Sequence, residues 1–280
     1  MTAVASGQIR FQWRSSLLLA AASAAGIAAF TWPLFTRPRG SENLAHTGDA
    51  PWVFIVLVPL LVGILLSEIA DGALDAKAVA MLGVLVACGA ALRAPSTGVT
   101  GFTGVFFLLI PGGRVFGRGF GFVQGALTMF ASALLIGGVG PWLPFEMLCT
   151  AWVGFFAGCL PHARGRSELA LLATYGAIAG LAYGLVMDMW FWPFGTSGTQ
   201  LHFIAGAAIT ENLRRFWAFH VASALGFDIP RAAGNALLVL VAGTPVLAAL
   251  RRAARRAAFG APVHFAPAET QSNLEPQTRP

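Results

Sequence analysis

LALLATYGAIAGLAYGLVMDMW, residues 169–190, decides the fold of this chain. Only one of its positions is charged, Asp188, and that one lies near its far end. The stretch is as long as a membrane-crossing helix, which needs about 20 predominantly apolar residues. Inside lipid every backbone N–H and C=O must be satisfied by the chain itself, so helix is the only state open to it. Gly176, Gly180 and Gly184 recur at spacing four and give one face a flat strip on which another helix can lie closely.

Working outward from this segment, seven more apolar stretches appear: 16–35, 52–69, 78–92, 100–110, 120–139, 142–160 and 232–250. The 78–92 and 100–110 stretches are short for a span. The second of them is expected to close at Pro111-Gly112-Gly113. Small residues at spacing four recur at Gly121 and Gly125 and at Gly154 and Gly158, which predicts internal helix packing. A related strip, Ala76, Ala80, Gly83, Ala87 and Ala91, admits internal packing or docking to another protein. The predicted fold is an all-α integral membrane protein of about eight transmembrane helices.

Composition agrees. The chain is 56% hydrophobic and 11% charged, against about 25% charged in a soluble domain. The net charge of +6 reflects arginines in short loops and at the ends of apolar runs, which reads as topology and anionic-lipid contact rather than nucleic-acid binding. With the N-terminus placed in the cytoplasm, twelve of the 18 basic residues fall inside and six outside. That split favours both ends being cytoplasmic. The first segment reads as a signal anchor, with no small-residue cleavage pattern before Trp32-Pro33. Cys88, Cys149 and Cys159 all sit in apolar runs without CxxC spacing and read as small hydrophobes. The polar tail from Phe259 reads as disordered.

Chemistry-bearing residues gather at the predicted outer side. In GGVGPWLPFEM, 137–147, Trp142 is placed to anchor at headgroup depth, and Glu146 falls about one turn into a helix. Two readings fit Glu146: a charge favoured by the helix dipole, or a carboxylate facing a polar cavity. Asp188 lies within MDMWFW, 187–192, where aromatic walls and one acid suit either a binding pocket or an interfacial aromatic belt. The loop 191–230 adds His202, Glu211, Asn212, Arg214, Arg215, Trp217, His220, Ser223 and Asp228. A short interfacial helix is expected within 201–225. Asn235, inside the last span, needs a hydrogen-bond partner. Together these residues predict a polar lid over an aromatic cavity. No phosphate-binding loop, HExxH or His/Cys metal spacing occurs. Gly195-Thr196-Ser197-Gly198 matches the nucleophile motif of rhomboid-type intramembrane proteases over four residues, with Ser197 in a loop rather than opening a helix.

The small-residue span ending at Arg93, Gly112-Gly113-Arg114-Val115-Phe116-Gly117, Gly121-Phe122-Val123-Gln124-Gly125-Ala126, Gly140 to Met147, Trp190-Phe191-Trp192-Pro193 and Arg231-Ala232-Ala233-Gly234-Asn235 form a sparse pattern. Over roughly Asp75 to Arg256 it resembles the substrate-binding (S) components of energy-coupling factor (ECF) transporters, cobalamin-type members most closely. The resemblance implies a six-helix core over 75–258 with a vitamin-sized pocket open to the outside. To this the chain adds an N-terminal region, 1–74, with two extra helices, and a cytoplasmic tail, 259–280. It implies substrate contacts from Arg93, Trp142, Phe145, Glu146, Asp188, Trp190, Trp192 and Asn235. It also implies docking of a coupling transmembrane subunit on Ala76 and Ala80, with Gly83 and Ala87. Two ATPase subunits would use the ATP, and this chain would hold no covalent cofactor or metal and make or break no bond. The expected location is the plasma membrane. A rhomboid-like protease and a stand-alone secondary carrier are the alternatives; no internal repeat supports the carrier.

Overall fold

The computed structural model describes residues 13–35, 76–94, 103–195 and 201–257, with scattered positions between 51 and 64. Residues 196–198 of the protease-like motif, the tail from 258 onward and much of the second apolar stretch lie outside the described residues. All regular structure among the described residues is helical. The helices are α1 (Trp13–Thr31), α2 (Ala76–Arg93), α3 (Val105–Phe116), α4 (Arg118–Ile136), α5 (Leu143–Cys159), α6 (Gly165–Gly195), α7 (Ile209–Ser223) and α8 (Leu225–Ala257). A 3-10 turn, Trp32–Leu34, follows α1. By length and apolarity α4, α6 and α8 suffice to cross a membrane, while α3 and α5 are shorter apolar helices.

Two boundaries differ from expectation. Pro111-Gly112-Gly113 does not close the fourth segment; α3 runs through it to Phe116. Proline inside a helix forfeits one backbone hydrogen bond, but tertiary packing holds this helix. A Cβ on Gly113 would strike the Gly154 carbonyl, and one on Gly112 would strike the Gln124 side chain. The glycines therefore serve close approach rather than chain reversal. Gln124 Nε2 donates to the Leu108 carbonyl at 3.1 Å, inside the turn that Pro111 interrupts. The true stop is Gly117, with φ at 99°. The second difference is length: the 169–190 and 232–250 stretches are the middles of α6 and α8, which continue through Pro193, and through Pro230 and Pro245.

The spacing-four glycines sit where helices touch. Across α4 and α5, the Gly121 and Gly154 backbones meet, and Gly125 abuts the Thr150 carbonyl. Thr150 Oγ1 donates to the Gly125 carbonyl at 3.0 Å. On α6, Gly176, Gly180 and Gly184 meet Asn235, Ala232 and Asp228 of α8 in turn. A short chain of such contacts brings α4 against α5 and α6 against α8, with α3 wedged between the pairs. The N-terminal helix joins the same body through Phe30, edge-on to Phe145 at 5.0 Å between centroids, and through Ser23, which accepts from Trp152 Nε1 at 3.0 Å.

One end of the bundle is fastened by charge. Arg114 Nε lies 2.8 Å from Glu168 Oε1, and its Nη1 donates to the Leu160 and Pro161 carbonyls at 2.9 and 3.0 Å. Arg251 Nη2 reaches the same Glu168 oxygen at 2.6 Å. Glu168 is 2% exposed, and with its two arginines it ties α3, the α5–α6 turn, α6 and α8 together.

Candidate functional site: a buried polar chain beside three aromatic rings

The other end carries the predicted site residues. Arg93 closes α2, and Glu146 lies in the first turn of α5. Arg93 Nη2 sits 3.2 Å from each Glu146 oxygen, and Nη1 donates to Ser132 Oγ of α4 at 3.0 Å. Both side chains are under 20% exposed. Around this pair stand Phe145, fully buried, with Trp142 and Trp190. The ring centroids of Trp142 and Trp190 are 6.5 Å apart, and those of Phe145 and Trp190 are 6.2 Å apart. Trp142 Nε1 donates to the Gly138 carbonyl at 3.1 Å, which fixes its ring over the turn before α5.

Tyr183, in the middle of α6, carries the polar chain onward. Its side chain lies beside the Glu146 carboxylate, and its ring lies 5.1 Å from the Arg231 guanidinium. Arg231 Nη1 pairs with Asp228 Oδ1 at 2.6 Å and with the Gly180 carbonyl at 3.3 Å. His220, on α7, lies between two acids: Nδ1 is 2.6 Å from Asp188 Oδ2, and Nε2 is 3.9 Å from Asp228 Oδ2. Gly184 makes the room, since a Cβ there would strike the Asp228 carboxylate. Ionisable groups from α2, α5, α6, α7 and α8 thus form one continuous line.

Of the eight predicted substrate contacts, Arg93, Trp142, Phe145, Glu146 and Trp190 come together, and Asp188 lies further along the same line. Trp192 does not join them. Successive positions on a helix turn by about 100°, so Trp190 and Trp192 point to nearly opposite faces. Trp192 is wholly buried against Phe203 and Phe216, and its Nε1 donates to the Leu201 carbonyl at 2.7 Å. It holds down the segment leading into α7. Asn235 lies deeper, between α6 and α8, with Nδ2 3.5 Å from the Gly176 carbonyl. Ser132 and Tyr183 were not singled out in the sequence. The signal for Tyr183 was available: it is one of two tyrosines in the chain and sits mid-span, where a buried hydroxyl needs a partner.

The expected interfacial helix is α7. It buries Asn212, Phe216 and His220 on one face. Ile209, Leu213, Trp217 and Val221 form an exposed apolar stripe on another, the pattern of a helix lying along a membrane surface. Its first turn carries Glu211 beside Arg214 and Arg215, and the hydrogen bond from Arg214 holds that carboxyl below the usual range. A hollow of about 330 Å³ opens between α1 and Leu148 and is lined by Ala22, Gly26, Trp32, Trp52 and Leu60 among others. Among the described residues no charged side chain lines it, so they offer no group that would orient a polar ligand.

Residues 77–243, more than half of the chain, match the family described as "ECF transporter, substrate-specific component". The chain belongs to that family. No curated protein and no solved structure matches it. This S component is therefore a membrane transport subunit that partners the ECF module of an ABC-type transporter, and its family is one of transporter components, not enzymes. The matched span begins at α2 and ends within α8, so it takes in the whole polar chain and leaves out α1.

Proposed function

We propose that this S component captures a vitamin or related micronutrient at the Arg93–Glu146 pair, walled by Trp142, Phe145 and Trp190. The observation that carries the reading is the placing of paired ionic groups beside three aromatic rings, the composition of a pocket that orients a polar ligand through few groups and buries the rest of it. Ligand groups would replace the Arg93–Glu146 contact, and α7 would act as the lid. We place the protein in the plasma membrane with about eight spans, both ends in the cytoplasm and the polar chain at the outer side. Arg114 and Arg251, two of the twelve basic residues that the charge split puts inside, meet at Glu168 at the end away from the polar chain, which supports that orientation. Purification in detergent followed by mass spectrometry is expected to find one small polar molecule travelling with the protein. Recovery of the chain with no such molecule, from cells supplied with vitamins, would count against the reading.

The partners in this proposal are one coupling transmembrane subunit and two ATPase subunits that consume the ATP. Ala80, Gly83 and Ala87 lie on an exposed face of α2, and among the described residues nothing lies within 4 Å of where a Gly83 Cβ would stand. Ala76 begins the same helix. That flat face suits a helix of the coupling subunit. The paired change Ala80→Leu and Gly83→Leu is expected to abolish co-purification of the coupling subunit and to leave ligand capture by the isolated chain within about twofold. Undiminished co-purification would place the docking face elsewhere.

A further inference from the structure

We propose that Asp188, His220 and Asp228 form a binding site for a divalent transition-metal ion of the zinc and cobalt class, which fastens α7 to α6 and α8. This does not rest on the ligand proposed above.

The geometry around the imidazole sets the requirement. A carboxylate only accepts hydrogen bonds, so the 2.6 Å contact with Asp188 Oδ2 places a proton on Nδ1 of His220. In a neutral ring Nε2 then presents a lone pair. It faces Asp228 Oδ2 at 3.9 Å, and that oxygen is buried with no hydrogen-bond partner among the described residues. Asp228 is 2% exposed and His220 7%. Two electron-rich atoms turned toward each other in a buried place call for a cation between them.

Metal geometry fits that gap. Bonds of about 2.0–2.2 Å from zinc to nitrogen and to carboxylate oxygen span up to about 4.2 Å, and roughly 3.4 Å at a tetrahedral angle. A closure of about half an ångström reaches the tetrahedral value. Asp188, bonded to the far ring nitrogen, takes the part of the carboxylate that orients a metal-bound histidine. Phe216, stacked at 6.1 Å, and Trp217, edge-on at 5.9 Å, hold the ring in place. Asp188 is 21% exposed and gives the site an entry path.

Arg231 occupies only Oδ1 of Asp228 and leaves Oδ2 free for the ion.

The test uses the full-length chain without a histidine tag, in detergent, stripped with a chelator and titrated at neutral pH with Co²⁺ by visible absorption and with Zn²⁺ by calorimetry. One ion per chain is expected, with a rise in Tm on adding Zn²⁺. His220→Gln is expected to weaken binding at least 100-fold and to remove the Tm response. Asp188→Asn, which changes only the orienting group, is expected to weaken it by about 10–100-fold. Wild-type uptake no greater than that of His220→Gln overturns the proposal. Should that variant fail to fold, unchanged affinity in Asp188→Asn overturns it. Either result leaves the ligand reading standing, because no vitamin enters the measurement.

Discussion

Glu146→Ala is expected to abolish ligand capture and to cost stability at the same time. The change removes the carboxylate whose two oxygens both face the Arg93 guanidinium, which is 18% exposed. Removing one partner of a buried ion pair typically costs about 3–5 kcal/mol, because the remaining charge stays desolvated. A loss of capture alone would then be ambiguous, since a loosened bundle also fails to bind. The double change Arg93→Met and Glu146→Leu separates the two effects. Replacing a whole buried pair by apolar side chains of similar volume is often neutral or stabilising, so this variant should regain the wild-type Tm while remaining unable to hold a polar ligand. Thermal unfolding in detergent and mass spectrometry of co-purified small molecules read the two quantities separately. Wild-type ligand content in the double variant would remove the ion pair from the binding site.

The second large effect is expected at the α4–α5 crossing. Gly154→Val should leave little or no folded monomer on size exclusion. Added methylenes in a packed core cost about 1–3 kcal/mol when side chains can shift. Here a Cβ on Gly154 meets the backbone of Gly121, including its carbonyl oxygen, and a backbone cannot rotate aside. Gly113 leans on the carbonyl of Gly154 as well, so moving α5 away would also unseat α3. Gly83→Val is the matched control: among the described residues nothing lies within 4 Å of a Cβ there, and the isolated protein should keep its stability to within the roughly 0.5 kcal/mol typical of surface changes. A monodisperse Gly154→Val protein with wild-type Tm would show that the crossing tolerates a wider gap.

What the sequence revealed and what it concealed divide along physical lines. Long apolar runs specify helices because lipid leaves no alternative, so α4, α6 and α8 were legible from hydrophobicity alone. Glycines at spacing four announced close contact but not the partner. Partners depend on which helices cross, and Arg93 and Glu146 meet across 53 residues of chain. Pro111-Gly112-Gly113 reads locally as a stop, yet the helix continues because those glycines admit Gln124 and Gly154. Trp190 and Trp192 were grouped by nearness in sequence, although helical rotation alone separates them. Tyr183 escaped attention because an isolated tyrosine has no motif; its importance lies in joining the neighbourhoods of Glu146 and Arg231. His220 and Asp228 stood in the expected polar lid, but their approach to Asp188 required α7 to fold back over α6.

The fastening around Glu168 has a mechanical consequence. Arg114 and Arg251 hold one carboxylate between them, and Arg114 also grips the turn joining α5 to α6. Prying those helices apart would break both contacts to a carboxylate that is 2% exposed. Any movement that spares this rivet carries α3, α6 and α8 along as one piece.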